Sequence, residues 1–211
     1  MEVTPEIARI HAHICGDGSV YMLTRKRSKG ELIKHKRRDI YRKEYCIEYY
    51  NNDNDLIKEF VTDFNRAFKR NKKIIRNKII FKGVKSIIEK LEVSNKNSYS
   101  WFIPDFITRA SSNIISSWIR AFFDDEAYIN PSRKRILVKC MNKKGLQQII
   151  QLFQRLGIKS NITGPNCDNS YYLVIKEKSL FKYRDKIGFL MKRKSNLLDD
   201  ITKNMGREEL S

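Results

Sequence analysis

The chain has 211 residues, 41% of them hydrophobic, and its 43 lysines and arginines outnumber its 24 acids for a net charge of +19. This length and hydrophobic content predict one folded domain or two small ones that share a core, and the charge predicts a polyanionic partner. The sequence has no run of about 18 apolar residues and no signal-peptide pattern at its N-terminus. We therefore expect an intracellular protein of the cytoplasm, nucleoid or an organelle that binds nucleic acid rather than a membrane.

The first predicted helix leads into HAHICGDGSV, residues 11–20, which holds two histidines, one cysteine and an acid between two glycines. A site built on the histidines and Cys15 would bind a transition metal, whereas a site built on Asp17 would bind a hard cation such as magnesium. His11 and His13 lie about 200° apart on a helix and cannot share an ion, but His11 and Cys15 can. No two of the four cysteines have the spacing of a zinc knuckle or a disulfide framework, which predicts reduced thiols.

A strongly basic run follows at residues 24–45, with ten lysines or arginines and three acids. The alternation of apolar and polar residues at Tyr45, Ile47 and Tyr49 indicates a strand. With the stretch after Gly18 as its first arm, the run predicts a long two-stranded ribbon, basic on one face, of the kind that fits the major groove of DNA. A solvated hairpin is the alternative for the run taken alone.

The remaining elements follow one order twice. Residues 51–70 have helical periodicity, KKIIRNKIIFKGV predicts a short strand pair, and VKSIIEKLE predicts a helix. After a less regular stretch, the second half continues with an apolar helix, a strand, a helix ended by Gly157, a hairpin around Gly-Pro-Asn and two helices. We therefore predict an α+β fold of two pseudo-symmetric αββαββα repeats, residues 1–95 and 111–211, with a linker at 96–110.

The helices that open the two repeats, IHAHICGDG (10–18) and IRAFFDDEA (119–127), are both apolar and both end in acid. Their alignment pairs Ala12 with Ala121, Gly16 with Asp125, and Asp17 with Glu126. Small residues four apart let two helix backbones approach closely. A twofold axis through such a pair would bring the two terminal acids together, and neighbouring carboxylates predict a bound cation.

Both segments resemble the signature helix of the LAGLIDADG homing endonucleases, in the single-chain form with two copies. CGDGSV and FFDDEAYI carry the motif, 109 positions apart, and the duplicated order of elements covers nearly the whole chain. The resemblance implies that the paired helices form the interface between repeats and that two saddle-shaped antiparallel sheets grip DNA. It also implies that divalent metal is bound by Asp17 and Glu126, with the backbone carbonyls of Gly16 and Asp125 as further ligands.

The implied function is that of a monomeric, site-specific endonuclease, encoded by an intron, which makes a staggered double-strand cut across the minor groove of a long pseudo-palindromic or asymmetric site. Two or three Mg²⁺ ions at the helix junction would activate water and stabilise the leaving oxygen, with Mn²⁺ as a substitute and Ca²⁺ as a non-catalytic ion. Relatives place a polar or basic residue near each site to organise water. The candidates here are Asn51 and Lys139, followed by Asn52 and Asn142.

Basic residues of the two sheets are the candidates for contacting DNA: Arg25, Arg27, Lys36, Arg38 and Arg42 in the first repeat, and Arg133 and Arg135 in the second.

The motif helices depart from the family pattern at several positions. Alanines replace the interface glycines and, at Ala127, the final glycine of the second motif. His11 and His13 are unusual in a packed helix, and we expect hydrogen-bonded interface histidines rather than a metal site, because oxygen ligands suit phosphoryl chemistry better.

Three alternative functions are open from sequence. The first is an RNA maturase that assists the splicing of its own intron. The second is a binding-only DNA regulator of the same fold, which the survival of both acids, Asp17 and Glu126, makes less favourable. The third is an endonuclease domain excised from an intein, which is disfavoured because an initiating Met and a terminal Ser leave no splicing residues.

Overall fold

The computed structural model describes residues 2–28, 30–31, 40–93, 97 and 99–208. The first repeat consists of α1 (Pro5–Cys15), β1 (Gly18–Lys26), β2 (Tyr41–Tyr50), α2 (Asn54–Phe68), β3 (Lys78–Lys82) and α3 (Lys85–Lys90). The second repeat is preceded by α4 (Asp105–Thr108). It consists of α5 (Ser112–Glu126), β4 (Ala127–Asn130), β5 (Arg135–Cys140), α6 (Lys143–Arg155), β6 (Asn161–Thr163), β7 (Tyr171–Lys176), α7 (Ser179–Lys186) and α8 (Lys192–Glu208).

The two sheets are antiparallel, with strand orders β1-β2-β3 and β4-β5-β7-β6. The predicted α+β class and two-repeat architecture are confirmed. Across the described parts of the chain, no helix is both long enough and apolar enough to cross a membrane.

The strand pair predicted from KKIIRNKIIFKGV is wrong in part. Within the described residues this segment forms one strand, β3, and a single bridge between Ile75 and Lys78. Ile79 and Phe81 of β3 are buried, whereas Ile75 is 67% exposed. Before β3, Ile74 is only partly buried against the core of the first repeat, and the described residues there do not extend into a second strand.

Helix α1 contributes to both hydrophobic cores. Its isoleucines Ile7, Ile10 and Ile14 pack into the core of the first repeat. Ala8 and Ala12, which lie on another face of the same helix, pack into the core of the second. Helix α5 is the main partner of α1, so the two motif helices form the junction between the repeats.

The residues that precede the second repeat pack against its core. Trp101 and Ile103 are buried, and Gln148 of α6 exchanges two hydrogen bonds of 2.9 Å with the backbone of Ile103. The indole ring of Trp101 also lies against Gly145, where an added Cβ would come within 2.5 Å of it. The predicted linker, residues 96–110, is therefore docked on the second repeat where the structure describes it.

We expect Ala12→Leu and Ala121→Leu each to lower the free energy of unfolding by about 1–3 kcal/mol, the typical cost of overpacking. Both alanines are fully buried between the helices, so a larger side chain must push the helices apart. Urea denaturation measures the change, with Ala67→Leu at the half-buried outer end of α2 as the matched control. Two variants as stable as this control would contradict the close helix contact.

Candidate functional site

The two motif helices meet at their C-terminal ends through Gly16 and Asp125. Helix α1 ends where the Gly16 backbone N–H donates to the Ala12 carbonyl, at 2.9 Å. A Cβ built on Gly16 would lie 2.7 Å from the Asp125 Oδ2 atom and 2.8 Å from its Cβ. The absence of a side chain at Gly16 is therefore what makes room for the Asp125 carboxylate.

The Asp125 carboxylate is fully buried and is held by side chains of the first repeat. The His13 ring nitrogen Nδ1 lies 2.9 Å from Oδ2. The Tyr49 hydroxyl donates to Oδ1 at 2.7 Å, and the Asn51 amide donates to the same oxygen at 3.2 Å. Burial and the neighbouring carboxylate of Asp125 raise the pKa of Tyr49 well above its ordinary value, so its hydroxyl is a neutral donor.

Asn51 connects this buried carboxylate to Asp17. Its amide nitrogen also donates to Asp17 Oδ2 at 2.9 Å, while its amide oxygen accepts the backbone N–H of Asp53 at 2.8 Å. Asn51 is only 6% exposed, whereas Asp17 is exposed. The structure therefore brings together Asp17 and Asn51, two of the residues predicted for catalysis.

Glu126, at the end of α5, lies half-buried in a cleft of about 560 Å³ that also contains Gly16, Lys139 and Asp168. The Lys139 ammonium lies 2.6 Å from an oxygen of the Asp168 carboxylate. This contact holds the pKa of Asp168 well below its usual range and raises the pKa of Lys139. The predicted catalytic pair Glu126 and Lys139 thus shares one cleft, with Asp168 as a partner that the sequence did not indicate.

An ionic network extends from the junction toward α2. The His13 Nε2 atom lies 3.4 Å from Glu59, and Arg120 lies 2.6 Å from the same carboxylate. Burial by itself lowers the pKa of His13, but the carboxylates of Asp125 and Glu59 outweigh burial and raise it to about 9. For Glu59, burial is opposed by the hydrogen bond from His13 and by Arg120, which bring its pKa down to about 2.

Two pairs of hydrogen bonds connect the end of α5 with α8 and with the residues just before it. Asp124 accepts the backbone N–H groups of Leu190 and Met191 at 3.1 and 3.0 Å. In return, the buried Lys194 ammonium donates to the carbonyls of Phe123 and Asp124 at 3.0 and 2.6 Å. A cation is favoured at the C-terminal end of a helix.

Sequence reasoning missed Glu59, Tyr49 and Lys194, because no local motif marks them.

The predicted interface histidines are confirmed. His11 accepts the indole N–H of Trp118 at 3.0 Å, and the Cys15 sulfur lies 3.6 Å from the same ring nitrogen. Both histidines are fully buried. The ring nitrogen of His11 that faces Cys15 is therefore already an acceptor for Trp118.

Two of the weaker water-organising candidates make structural contacts. Asn52 accepts hydrogen bonds from Tyr50 and Asn77, at 3.0 and 2.9 Å. Asn142 accepts the Gly145 backbone N–H at the start of α6 and donates to the carbonyl of Trp101. The side chain of Asn142 thus serves as the cap of a helix.

The structure also locates the predicted DNA-contacting residues. Arg25 and Arg42 are paired across β1 and β2, and both contact Glu31, at 3.0 and 2.8 Å. Arg135 lines a groove of about 600 Å³ over the second sheet, together with Glu126 and Lys139. The remaining residues of this group are Arg27, just after β1, Arg133, exposed in the β4–β5 turn, and Lys36 and Arg38, which lie outside the described residues.

Comparison with known proteins agrees with this arrangement. Residues 113–188 match a family model described as a LAGLIDADG-like domain. The structure of I-DmoI in complex with DNA and Mn superposes with a TM-score of 0.63 at 17% identity, covering 88% of this chain and 97% of that one. This is a LAGLIDADG-fold protein. The predicted resemblance is therefore confirmed.

The LAGLIDADG fold is also shared with another kind of protein. The N-terminal LAGLIDADG domain of DUF199/WhiA matches with a TM-score of 0.54 at 14% identity, over 92% of this chain and 89% of that one.

The curated relatives that this chain matches are much longer proteins of Methanocaldococcus jannaschii. The glutamine–fructose-6-phosphate aminotransferase is 29% identical over 96% of this chain, and the probable translation initiation factor IF-2 is 27% identical over 78%. The DNA-directed RNA polymerase subunit Rpo1C is 25% identical over 51%. The chain spans less than a fifth of the length of each, at 18%, 16% and 12%.

The donor set at the helix ends fits a hard divalent cation. Asp17 and Glu126 both offer carboxylate oxygens at the surface of the junction, which are the ligands that Mg²⁺ prefers. The side chain of Asp125 is already occupied by three donors and is buried. In the described portion of the chain, no three His, Cys, Asp or Glu side chains form a metal cluster by themselves. Mg²⁺ commonly takes its other ligands from water and substrate phosphate.

We expect the free energy of unfolding to fall as the pH rises from 6.5, the ordinary pKa of histidine, to about 9. A histidine whose pKa is raised by folding contributes its full stability at a pH below its pKa in the unfolded chain. That contribution is lost as the pH rises past the pKa in the folded protein, and it is here of the order of 3 kcal/mol. Urea denaturation at several pH values measures this slope. The variant His13→Asn keeps a donor near Asp125 but does not titrate, so its slope should be much flatter. An unchanged slope would show that another group is responsible.

Proposed function

We propose that this protein is a divalent-metal-dependent DNA endonuclease that acts as a monomer and cuts both strands of a long site across the minor groove. The observation that carries the proposal is the pair of acids at the joined helix ends. Asp17 lies two residues after the end of α1, and Glu126 is the last residue of α5; these two helices pack together at the junction between the repeats. Each acid would serve one scissile phosphate.

Charge and similarity support DNA as the partner. The chain carries +19, a charge that favours a polyphosphate. Paired arginines lie on the first sheet and Arg135 lines the groove over the second. I-DmoI, which has the same fold, has been solved with DNA and Mn, and with DNA and Ca. Both metal and nucleic acid are therefore consistent with this architecture.

The chain's own residues have separable tasks in the proposed reaction. Asp17, oriented by Asn51, and Glu126 supply the hard oxygen ligands for Mg²⁺. When bound there, such an ion would polarise a phosphoryl oxygen and lower the pKa of an attacking water. The Lys139 ammonium, which is paired with Asp168 in the cleft that contains Glu126, would orient that water or contact the phosphate. Arg25, Arg42 and Arg135 would position the duplex by contacting bases or phosphates.

The proposal includes homing from an intron or another mobile element. Segments similar to this chain lie within three proteins whose names describe different functions, an aminotransferase, an initiation factor and a polymerase subunit. None of these activities is assigned to this chain. A domain that occurs in such different proteins is what the spread of a mobile endonuclease gene would produce.

A binding-only role on DNA is the second candidate, favoured by the similarity to the LAGLIDADG domain of DUF199/WhiA. One experiment separates the two candidates. A randomised duplex library is incubated with the protein and Mg²⁺, and cleaved and merely bound molecules are recovered separately. Enrichment of one cleaved sequence supports the endonuclease, whereas enrichment of bound, intact DNA alone supports the binding protein.

We expect Asp17→Asn and Glu126→Gln to abolish cleavage while DNA binding holds or tightens. Each change removes one negative charge and nearly keeps the side-chain shape, but a neutral amide is a much poorer ligand for Mg²⁺. Cleavage and binding are measured on the selected site, with Mg²⁺ and then with Ca²⁺, which should support binding with little cutting. If each acid serves its own strand, one variant retains a single nick. If a metal is shared, both cuts fail together.

The matched control is Asp105→Asn, because Asp105 is an exposed acid of α4 that has no part in the proposed reaction. It should cleave like the parent. Cleavage at the parent rate by both acid variants would show that Asp17 and Glu126 are not the catalytic acids.

We also expect the affinity for DNA to fall steeply with salt, by roughly 10³-fold or more between 50 and 200 mM. Each lysine or arginine that neutralises a phosphate releases counterions, so the slope counts these contacts. Fluorescence anisotropy with labelled duplex measures it in Ca²⁺, without cleavage. A nearly flat dependence would show that the positive charge of the chain is not the DNA interface.

A further inference from the structure

The two halves of the candidate site are not equivalent, because Asp125 has no counterpart. Its partner in the aligned motif is Gly16, which has no side chain. The space beside Gly16 is taken by the Asp125 carboxylate itself, since a Cβ there would come within 2.7 Å of Oδ2. One carboxylate from the second repeat therefore sits on the side of the junction where Asp17 lies.

The three side chains that donate hydrogen bonds to this carboxylate among the described residues come from the first repeat. His13 belongs to α1, Tyr49 to β2, and Asn51 follows β2 directly, at distances of 2.9, 2.7 and 3.2 Å. The carboxylate is fully buried and so is excluded from direct contact with DNA. It can act on the reaction only through the groups that it orients.

Asn51 is the group through which it can act. The amide oxygen accepts the Asp53 backbone N–H, which determines which end of the amide faces the junction. Its two amide hydrogens are then directed at two different carboxylates, Asp125 and Asp17. With the amide oxygen and both amide hydrogens in use, rotation of Asn51 breaks at least one hydrogen bond.

We propose that Asp125 is a positioning residue for the half of the site that belongs to the first repeat. Asp125 holds Asn51 in place, and Asn51 in turn orients the Asp17 carboxylate. Asp125 thereby couples the second motif helix to the acid of the first. This inference rests on the proposed endonuclease function for its kinetic consequences, but the hydrogen-bond relay itself can be tested in the protein alone.

The cleft that contains Glu126 is built differently. The other charged side chains that line it among the described residues are Lys139 and Asp168, which are paired with each other and are each about half exposed. A long lysine side chain in solvent is less restrained than a buried amide with three hydrogen bonds. The two strand cuts therefore depend on different supports, and a change at Asp125 should affect the cut that depends on Asp17 more than the other.

The relay is tested first without catalysis. In the parent protein the side-chain amide protons of Asn51, assigned by their loss in Asn51→Ala, should exchange slowly with solvent and resonate apart from those of exposed asparagines. Asp125→Asn replaces one acceptor oxygen by a donor, so both properties should be lost. Tyr49→Phe, which keeps the charge of the junction, should weaken them less. Asp105→Asn should leave them unchanged.

The kinetic test is a double-variant cycle on the selected DNA site, under single turnover with Mg²⁺ and with each strand labelled. We expect Asp125→Asn to slow the Asp17-dependent cut by roughly ten- to hundredfold, as misplacement of a reacting group does, with DNA affinity in Ca²⁺ unchanged. If Asp125 acts through Asn51, the double variant is no slower than Asn51→Ala alone. A role in fold stability alone would make the two effects multiply and would slow both strands equally.

The outcomes distinguish the two proposals. If the parent protein cuts no DNA in the library, the endonuclease proposal fails, and the amide measurement still decides the relay. Two outcomes would overturn the positioning role while the endonuclease proposal stands, in a parent protein that cuts DNA. In the first, the Asn51 amide protons of Asp125→Asn exchange as slowly as those of the parent. In the second, the reductions in cleavage rate caused by Asp125→Asn and Asn51→Ala multiply in the double variant. Should Asp125→Asn fail to fold, Tyr49→Phe carries both measurements, and parental behaviour in both would overturn the role.

Discussion

The close approach of α1 and α5 is the constraint on which the rest of the structure depends. Ala8, Ala12 and Ala121 are fully buried at this junction, so the backbones meet with almost no side chain between them. Dispersion contacts and excluded water stabilise such a packing only when no larger side chain intrudes. This contact places the ends of both motif helices beside each other, and it therefore determines where Asp17 and Glu126 lie. The cores of the two repeats are also joined through it, because α1 contributes to both.

The same junction buries several charges, which is costly unless each is paired. His13 lies between the carboxylates of Asp125 and Glu59, and Arg120 binds Glu59 from α5. The contact between His13 and Glu59 lies within the first repeat, and the other two join the repeats. A displaced or rotated α5 would leave buried charges without partners, so the network penalises other arrangements of the two helices. The small residues permit close packing, and the ionic contacts select one register of it.

Positions that correspond in the two motifs have taken different tasks. Asp124 in the second motif anchors the start of α8 through two backbone hydrogen bonds, while Cys15 stands at the aligned position in the first. Lys194 returns from α8 to the last carbonyls of α5. The second helix end is thus fastened within its own repeat. The first helix end is surrounded by Asn51 and by Asp125 from the other repeat, so its geometry depends on the junction.

Periodicity and motif alone determined the class of fold, the pairing of the motif helices and the two terminal acids. Each of these follows from local spacing: apolar residues at helical and strand periods, small residues four apart, and an acid at or just beyond each helix end. The strand wrongly predicted around Ile75 was also inferred from local spacing. A short apolar run predicts a strand but does not show whether other residues cover it. The partners Glu59, Tyr49 and Lys194 were decided only by tertiary structure. They come from separate elements, and their roles arise because burial at the junction obliges each charge and hydroxyl to find a partner there, which no sequence spacing records.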